Sequence, residues 1–332
     1  MGNLLAKIAP KSALSTSFFP PSSTFDPMRD MPDMTGKIAL ITGGNTGIGY
    51  ETAKALLLKG AKVYIAARSP DKANAAIQKL QEETKQTALF LKLDLADLAS
   101  VRPAATSFLA LESRLDVLFN NGGVMNSPPD MLTVQGYDLQ FGTNVIGHFF
   151  LTELLIPAFT ASYEHSKVPA RVVHVSSFAH NLAPPAGIEF AALKSGPERD
   201  ALIKKWGKLS APATLYGQSK LGNILTANWN AKEYKNILVA CSIHPGTIRS
   251  DLLQHMPSWQ GIVWNAVMAY PTPMGALTQL WAGTTASPAQ INGEYLIPWA
   301  RIAPADVRGK AARNSKLESE MIAYLKEQVK GF

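Results

Sequence analysis

The chain has 332 residues, 46% of them hydrophobic, with a net charge of +7 and one cysteine, Cys241. That length supports a large single core. One cysteine excludes an intrachain disulfide and fits a reducing compartment. Lys and Arg are scattered rather than gathered in runs, which excludes a nucleic-acid footprint and leaves a basic surface suited to an anionic small molecule. Weak contact with an anionic membrane surface is compatible with the same charge. The six histidines show no metal-ligand spacing, so no metal site is expected. Cys241, in the apolar run ILVACSI, reads as a small buried residue.

Residues 1–35 are rich in Pro and Ser and hold no apolar run long enough to cross a bilayer. MGNLLAK has the glycine of a myristoylation start, but Ala6 stands where Ser or Thr is required. An irregular arm is expected here, packed over the core through Phe18, Phe19 and Phe25, in a protein located in the cytoplasm. KIALIT (residues 37–42) is a short, β-branched apolar run. A glycine-rich turn follows, then a helical pattern from Gly47 that stops at Gly60, then the strand KVYIAA. This is a βαβ unit. Gly43, Gly47 and Gly49 let the backbone approach a pyrophosphate, and the helix start offers free amides. Strands alternate with helices to about residue 300, as a parallel sheet requires.

Further along, Tyr216 and Lys220 stand four residues apart in LYGQSKLGN. On a helix they share one face. A nearby ammonium lowers a phenol's pKa, and a tuned tyrosine can pass a proton to or from a substrate oxygen. By itself the pair also reads as an ordinary helix-surface contact.

The turn's spacing, T-G-x-x-x-G-x-G, together with Tyr216 and Lys220, resembles the short-chain dehydrogenase/reductase family, and within it the retinol-dehydrogenase-like branch. The resemblance runs from about residue 35 to 300. It implies an α/β, doubly wound parallel sheet of the Rossmann type, three layers deep, in a single domain. The catalytic unit would span 36–300, with a helical tail at 301–332. Carried residue by residue, the resemblance puts the cofactor against Gly43, Asn45, Thr46, Gly47, Ile48 and Gly49. Asp94 and Leu95, at the end of the third strand, would meet the adenine. NNGG (120–123) would end the fourth strand and line the pocket through Asn120, Asn121, Gly122 and Gly123; Gly122 departs from the usual alanine. Pro245, Gly246, Ile248 and Ser250 would form the turn after the sixth strand. Asn144, Ser177, Tyr216 and Lys220 would be catalytic. In that set Tyr216 is the acid or base, Lys220 tunes it and binds the nicotinamide ribose, Ser177 holds the substrate oxygen, and Asn144 holds a water. Ser176 is the rival to Ser177. His148 and His244 read as structural.

Members that use NAD carry an acid at the end of the second strand. Ala67 stands there, and Arg68 is placed to grip a 2′-phosphate, so NADP(H) is expected. Arg68 stacked on adenine or pointing to solvent is the other reading, and Asn45 stands where many NADP-preferring relatives carry Arg. Between Ser177 and Tyr216 lies a long insertion (178–213). Ser195 and Glu198 form a capping-box pattern there, with Leu202, Trp206 and Leu209 at helical spacing. It reads as a helix beside the site or as surface decoration. A second variable segment, 250–275, is apolar through Trp259, Ile262, Val263, Trp264, Val267 and Met268. It reads as a lid over a lipophilic substrate of terpenoid, retinoid, steroid or aromatic type, or as a face packed on the core or a second subunit. An oxidoreductase acting on a carbonyl or alcohol is therefore expected, as a monomer or homo-oligomer. The alternatives are a C=C reductase on the same fold and a non-catalytic dinucleotide sensor.

Overall fold

The computed structural model describes residues 19–249 and 270–332. Its centre is one eight-stranded sheet in the order β3-β2-β1-β4-β5-β6-β7-β8. The strands are β1 (Ile38–Thr42), β2 (Lys62–Ala67), β3 (Leu89–Lys92), β4 (Val117–Asn120), β5 (Ala170–Val175), β6 (Leu238–Ile243), β7 (Tyr295–Ile297) and β8 (Arg301–Ile302). All neighbours pair in parallel except β7 with β8. The central strands read as unbroken apolar runs because both faces are covered. Along β1, Ile38 and Leu40 face one core, and Ala39 and Ile41 face the other.

The helices divide between these faces. α1 (Gly47–Leu58), α2 (Pro70–Thr84) and a helix at Thr272–Leu280 contribute to one core. α3 (Leu98–Leu111), α4 (Gly147–Leu154), α5 (Ile156–Ser166), the helix Ala211–Glu233 and the C-terminal helix Ser315–Gln328 contribute to the other. The starts and stops follow local chemistry. Ser69 caps α2 through the Lys72 amide, with Pro70 at its first position. Gly60, at φ +85, ends α1 just past its last turn. Among the described residues, no single helix is long and apolar enough to cross a membrane.

The insertion after Ser177 contains α6 (Pro197–Trp206), followed by α7 (Ala211–Glu233) and α8 (Thr272–Leu280). The capping box expected at Ser195 is not formed. The N-cap is Gly196, with no side-chain cap bond. The reason is tertiary: the Ser195 amide donates to the Gly136 carbonyl at 2.8 Å, and Lys194 bridges to Tyr137, so Ser195 is held in an extended pairing. Leu209 lies past the helix and is 96% exposed, so the apolar stripe ends at half-buried Trp206. In the arm, Phe25 is buried but Phe19 is exposed, which corrects its expected packing; Phe18 lies outside the described residues.

Asp116 ties the amino-terminal ends of two central strands. Its carboxylate accepts from Lys37 Nζ at 3.0 Å, the Ile38 amide at 2.9 Å and Ser162 Oγ at 3.0 Å. One side chain thus joins β1, the start of β4 and α5. Asp116→Ala strands a buried amide and a buried hydroxyl, and should cost about 2–4 kcal/mol. Urea unfolding with an unchanged m-value measures it. A loss under about 0.5 kcal/mol, the size of an ordinary surface substitution, would show that this bracket does not hold the strand ends.

Candidate active site

Strand order reverses where β1 lies between β2 and β4, the place where sheets of this kind form their binding crevice, beyond the carboxyl ends of the strands. Two turns build it. The first runs from Gly43 into α1, and the second follows β4. A Cβ on Gly49 would lie 2.4 Å from the Gly43 carbonyl oxygen and 2.6 Å from Asn121 Nδ2, so only glycine lets these turns close. Above Gly47, at φ +57, a Cβ would meet nothing within 4 Å. The start of α1 is therefore open at Gly47, and the Thr46 side chain makes no cap bond to the helix. Backbone amides, a positive helix end and room above them suit the phosphates of a dinucleotide.

Thr42 holds the two turns together. Its Oγ1 accepts from the Asn121 amide at 3.0 Å and the Gly122 amide at 2.9 Å, and lies 2.8 Å from His148 Nε2. His148 Nδ1 faces the Asn144 carbonyl at 3.0 Å and must donate to it, so Nε2 accepts the Thr42 proton. Burial lowers the His148 pKa to about 4, which keeps that neutral tautomer.

Tyr216 and Lys220 lie on α7, both buried, with the ammonium 5.5 Å from the phenol ring centre. Lys220 Nζ donates to the Val175 carbonyl at 2.9 Å, which also accepts from Asn223 Nδ2 at 2.9 Å. Ser177 lies near enough to Tyr216 to pull the phenol's pKa down, and its Oγ accepts from the Ala179 amide at 3.1 Å. The two serines separate cleanly. Ser176 is buried and donates to the Lys220 carbonyl at 2.7 Å, while half-buried Ser177 is the one that acts on the phenol's pKa. Burial raises the Tyr216 pKa, opposed by Ser177, and burial lowers Lys220 to about 7. Lys220 is not among the causes that shift the tyrosine, so the expected depression by the lysine is not seen. The phenol stays protonated.

Asn144 sits on a π-turn, Gly142–Ile146, rather than in regular helix. Such turns insert an extra residue and recur at functional sites. The side chain is buried and bonded to protein: Oδ1 accepts from the Val124 amide at 2.9 Å, and Nδ2 donates to the Val124 carbonyl and to Ser219 Oγ, each at 3.0 Å. A Cβ on Gly123 would lie 2.8 Å from Asn144 Oδ1 and 3.8 Å from Lys220 Nζ, so these three converge.

Of the other expected contacts, Leu95 packs beside Gly122, and Ile48 meets Ile248 across Gly275. Gly246 abuts Trp299, next to half-buried Pro245. Half-buried Asp94 caps the Ala96 amide at 2.9 Å, two residues past the end of β3. Half-buried Asn45 lies within the first turn, and Arg68 is exposed at the end of β2. Asn120 must be corrected. It is buried and bonds Thr152 Oγ1 at 3.0 Å in the core, while its neighbour Asn121 turns to the crevice. Ser250 and the apolar residues of the expected lid from Trp259 to Met268 lie outside the described residues. Sequence reading missed the Thr42 hub, Ser219 and Asn223, whose polar side chains inside the T-G and YGQSKLGN motifs were the available signal. It also missed the anchor of the insertion. Arg199 on α6 is buried, lies 3.4 Å from Asp138 and donates to the Pro129 carbonyl at 2.6 Å. Asp138, its pKa raised by burial to about 6, caps the turn that leads to Asn144.

A family model for short chain dehydrogenases matches residues 37–199. A short-chain dehydrogenase/reductase of Armillaria gallica is 49% identical over 88% of this chain and 91% of its own length. The chain belongs to the short-chain dehydrogenase/reductase family. Retinol dehydrogenase 11 of Mus musculus is 37% identical over 79% of this chain and 78% of its own, which sets this family member in the retinol-dehydrogenase-like branch. Among solved structures, an uncharacterized protein of Mycobacterium paratuberculosis has a TM-score of 0.66 at 28% identity, covering 92% of this chain and 97% of that one. The Pseudomonas aeruginosa RhlG/NADP active-site complex has a TM-score of 0.59 at 26% identity, covering 81% and 96%. A short-chain dehydrogenase/reductase is an oxidoreductase with a nicotinamide cofactor, and the crevice over Gly43–Gly49 and Asn121–Gly123 fits one.

The Lys220 shift has a measurable consequence. Its ordinary pKa is 10.5 and its folded value about 7. Between those values the unfolded chain binds a proton that the folded chain does not, so this group makes stability rise with pH from about 7 to 10. Lys220→Met removes that contribution. Melting temperatures of the cofactor-free protein at about pH 7 and pH 9.5 should rise more in the wild type than in the variant. Equal slopes would show that Lys220 stays charged in the fold.

Proposed function

We propose that this protein is an NADP(H)-dependent oxidoreductase that moves hydride between the nicotinamide and a carbonyl or alcohol of a lipophilic small molecule. The observation that carries the reading is the meeting of Tyr216, Ser177 and Lys220 beside the crevice. Tyr216 is the proton donor in reduction and the acceptor in oxidation. Its burial keeps the phenol protonated, the state needed to donate. Ser177, beside the phenol, is assigned to bind the same substrate oxygen where negative charge develops. Lys220, poised near neutrality, takes up charge as phenolate character grows 5.5 Å away. Asn144 fixes the wall by tying Val124 to Ser219. The bound cofactor supplies the hydride donor or acceptor.

Three features support the finer terms. Ala67 leaves no carboxylate to repel a 2′-phosphate, and Arg68 follows it. The similar RhlG structure is a complex with NADP. The name of retinol dehydrogenase 11 and the apolar composition of residues 256–274 favour a lipophilic substrate.

Tyr216→Phe should keep cofactor affinity and lower kcat by about 10²–10⁴-fold, the range for loss of a general acid. Single-turnover NADPH oxidation with a panel of lipophilic aldehydes and ketones measures it, and product analysis separates C=O from C=C reduction. A variant with near wild-type kcat would sink the proposed role. Arg68→Asp should reverse the preference between NADPH and NADH in equilibrium binding, because a like charge would face the 2′-phosphate. Equal losses for both cofactors would remove Arg68 from this role.

A further inference from the structure

Two cations, not one, stand at the end of β2. Arg68 follows the strand directly. Lys92 is the last residue of β3 and pairs with Ala67. Paired residues on neighbouring strands project to the same face, so the Lys92 side chain leaves the sheet on the side of the Ala67 methyl. Its ammonium donates to the backbone carbonyl of Arg68. Both residues are exposed. Among the described residues neither belongs to an ion pair. Lys62, at the start of β2, is held by Glu112, and Lys54 and Lys79 by Glu83, whereas among the described residues Lys92 and Arg68 have no such carboxylate. The Asp94 carboxylate is turned back to the Ala96 amide. Two cations rooted at adjoining backbone positions attract an anion more strongly than either alone.

We propose that Lys92 is a second specificity-determining residue, which grips the adenosine 2′-phosphate together with Arg68. The inference rests on the NADP(H) reading above. A phosphate monoester carries about −1.5 to −2 charges at pH 7, more than one guanidinium neutralises. Arg68 offers a planar fork and Lys92 a compact point charge, so the two are complementary. Moving the ammonium from a neutral carbonyl to a phosphate oxygen exchanges an ordinary hydrogen bond for a charge-assisted one. NADH offers no such exchange.

Isothermal titration calorimetry of NADPH and NADH with wild type, Lys92→Gln, Lys92→Arg and Arg68→Gln tests this without turnover. Lys92→Gln should weaken NADPH by roughly five- to tenfold, leave NADH within about twofold, and flatten the salt dependence of NADPH binding. Lys92→Arg should restore most of the loss. Melting temperatures confirm that the exposed substitutions keep the fold. If Arg68→Gln removes the NADPH preference and Lys92→Gln does not, the proposal is overturned and the cofactor reading stands. Equal losses for both cofactors in Lys92→Gln also overturn it. A wild type without preference for NADPH overturns both.

Discussion

The Thr42 hydroxyl accepts the amides of Asn121 and Gly122 and gives its own proton to His148. These bonds join the end of β1, the turn after β4 and α4, and so set the width of the crevice. The arrangement works with a neutral imidazole alone. A charged ring has no lone pair at Nε2 and would compete with the two amides for the Thr42 oxygen. Burial supplies the neutrality, lowering the His148 pKa to about 4. Burial of the hub thus keeps His148 neutral and able to accept from Thr42, whose hydroxyl also reaches the Phe119 carbonyl at 3.3 Å.

The same desolvation acts on the reactive pair. It raises the phenol of Tyr216 and lowers the ammonium of Lys220 to about 7, so desolvation disfavours charge on both. A group held near neutrality responds strongly to charge that appears beside it. The Val175 carbonyl, shared by Lys220 and Asn223, keeps the lysine aimed while its charge varies. Position is therefore supplied by β5 and α7, and charge by what enters the pocket.

Around this centre the fold departs from regularity where aim matters. The π-turn at Gly142–Ile146 points Asn144 at Val124 and Ser219. Upstream of it, Asp138 caps the turn and meets Arg199 of the insertion. The insertion is thus bonded into the framework of the site by a buried ion pair rather than by the apolar stripe expected from its sequence. A buried pair of this kind adds little net stability, because desolvation offsets attraction, but it discriminates sharply against other positions of the helix.

Features that depend on neighbours along the chain were legible in the amino-acid sequence. The apolar runs of β1 and β2, the glycine turn, the stop at Gly60 and the one-face placement of Tyr216 and Lys220 each arise within a few residues, where backbone sterics and helical periodicity decide. They sufficed for the doubly wound sheet and the family. What the sequence left open is set by strand register and crossover packing, which bring distant residues together. Ser177, not Ser176, acts on Tyr216 because Ser176 is engaged by a backbone carbonyl 44 residues away. Asn121, not Asn120, faces the crevice because Asn120 finds Thr152 in the core. The capping box at Ser195 lost to a pairing with Gly136. Lys92 meets Arg68 only because β3 pairs with β2. Local patterns determine which elements form; the sheet's register decides which of two adjacent side chains reaches the site, since neighbouring strand residues point to opposite faces.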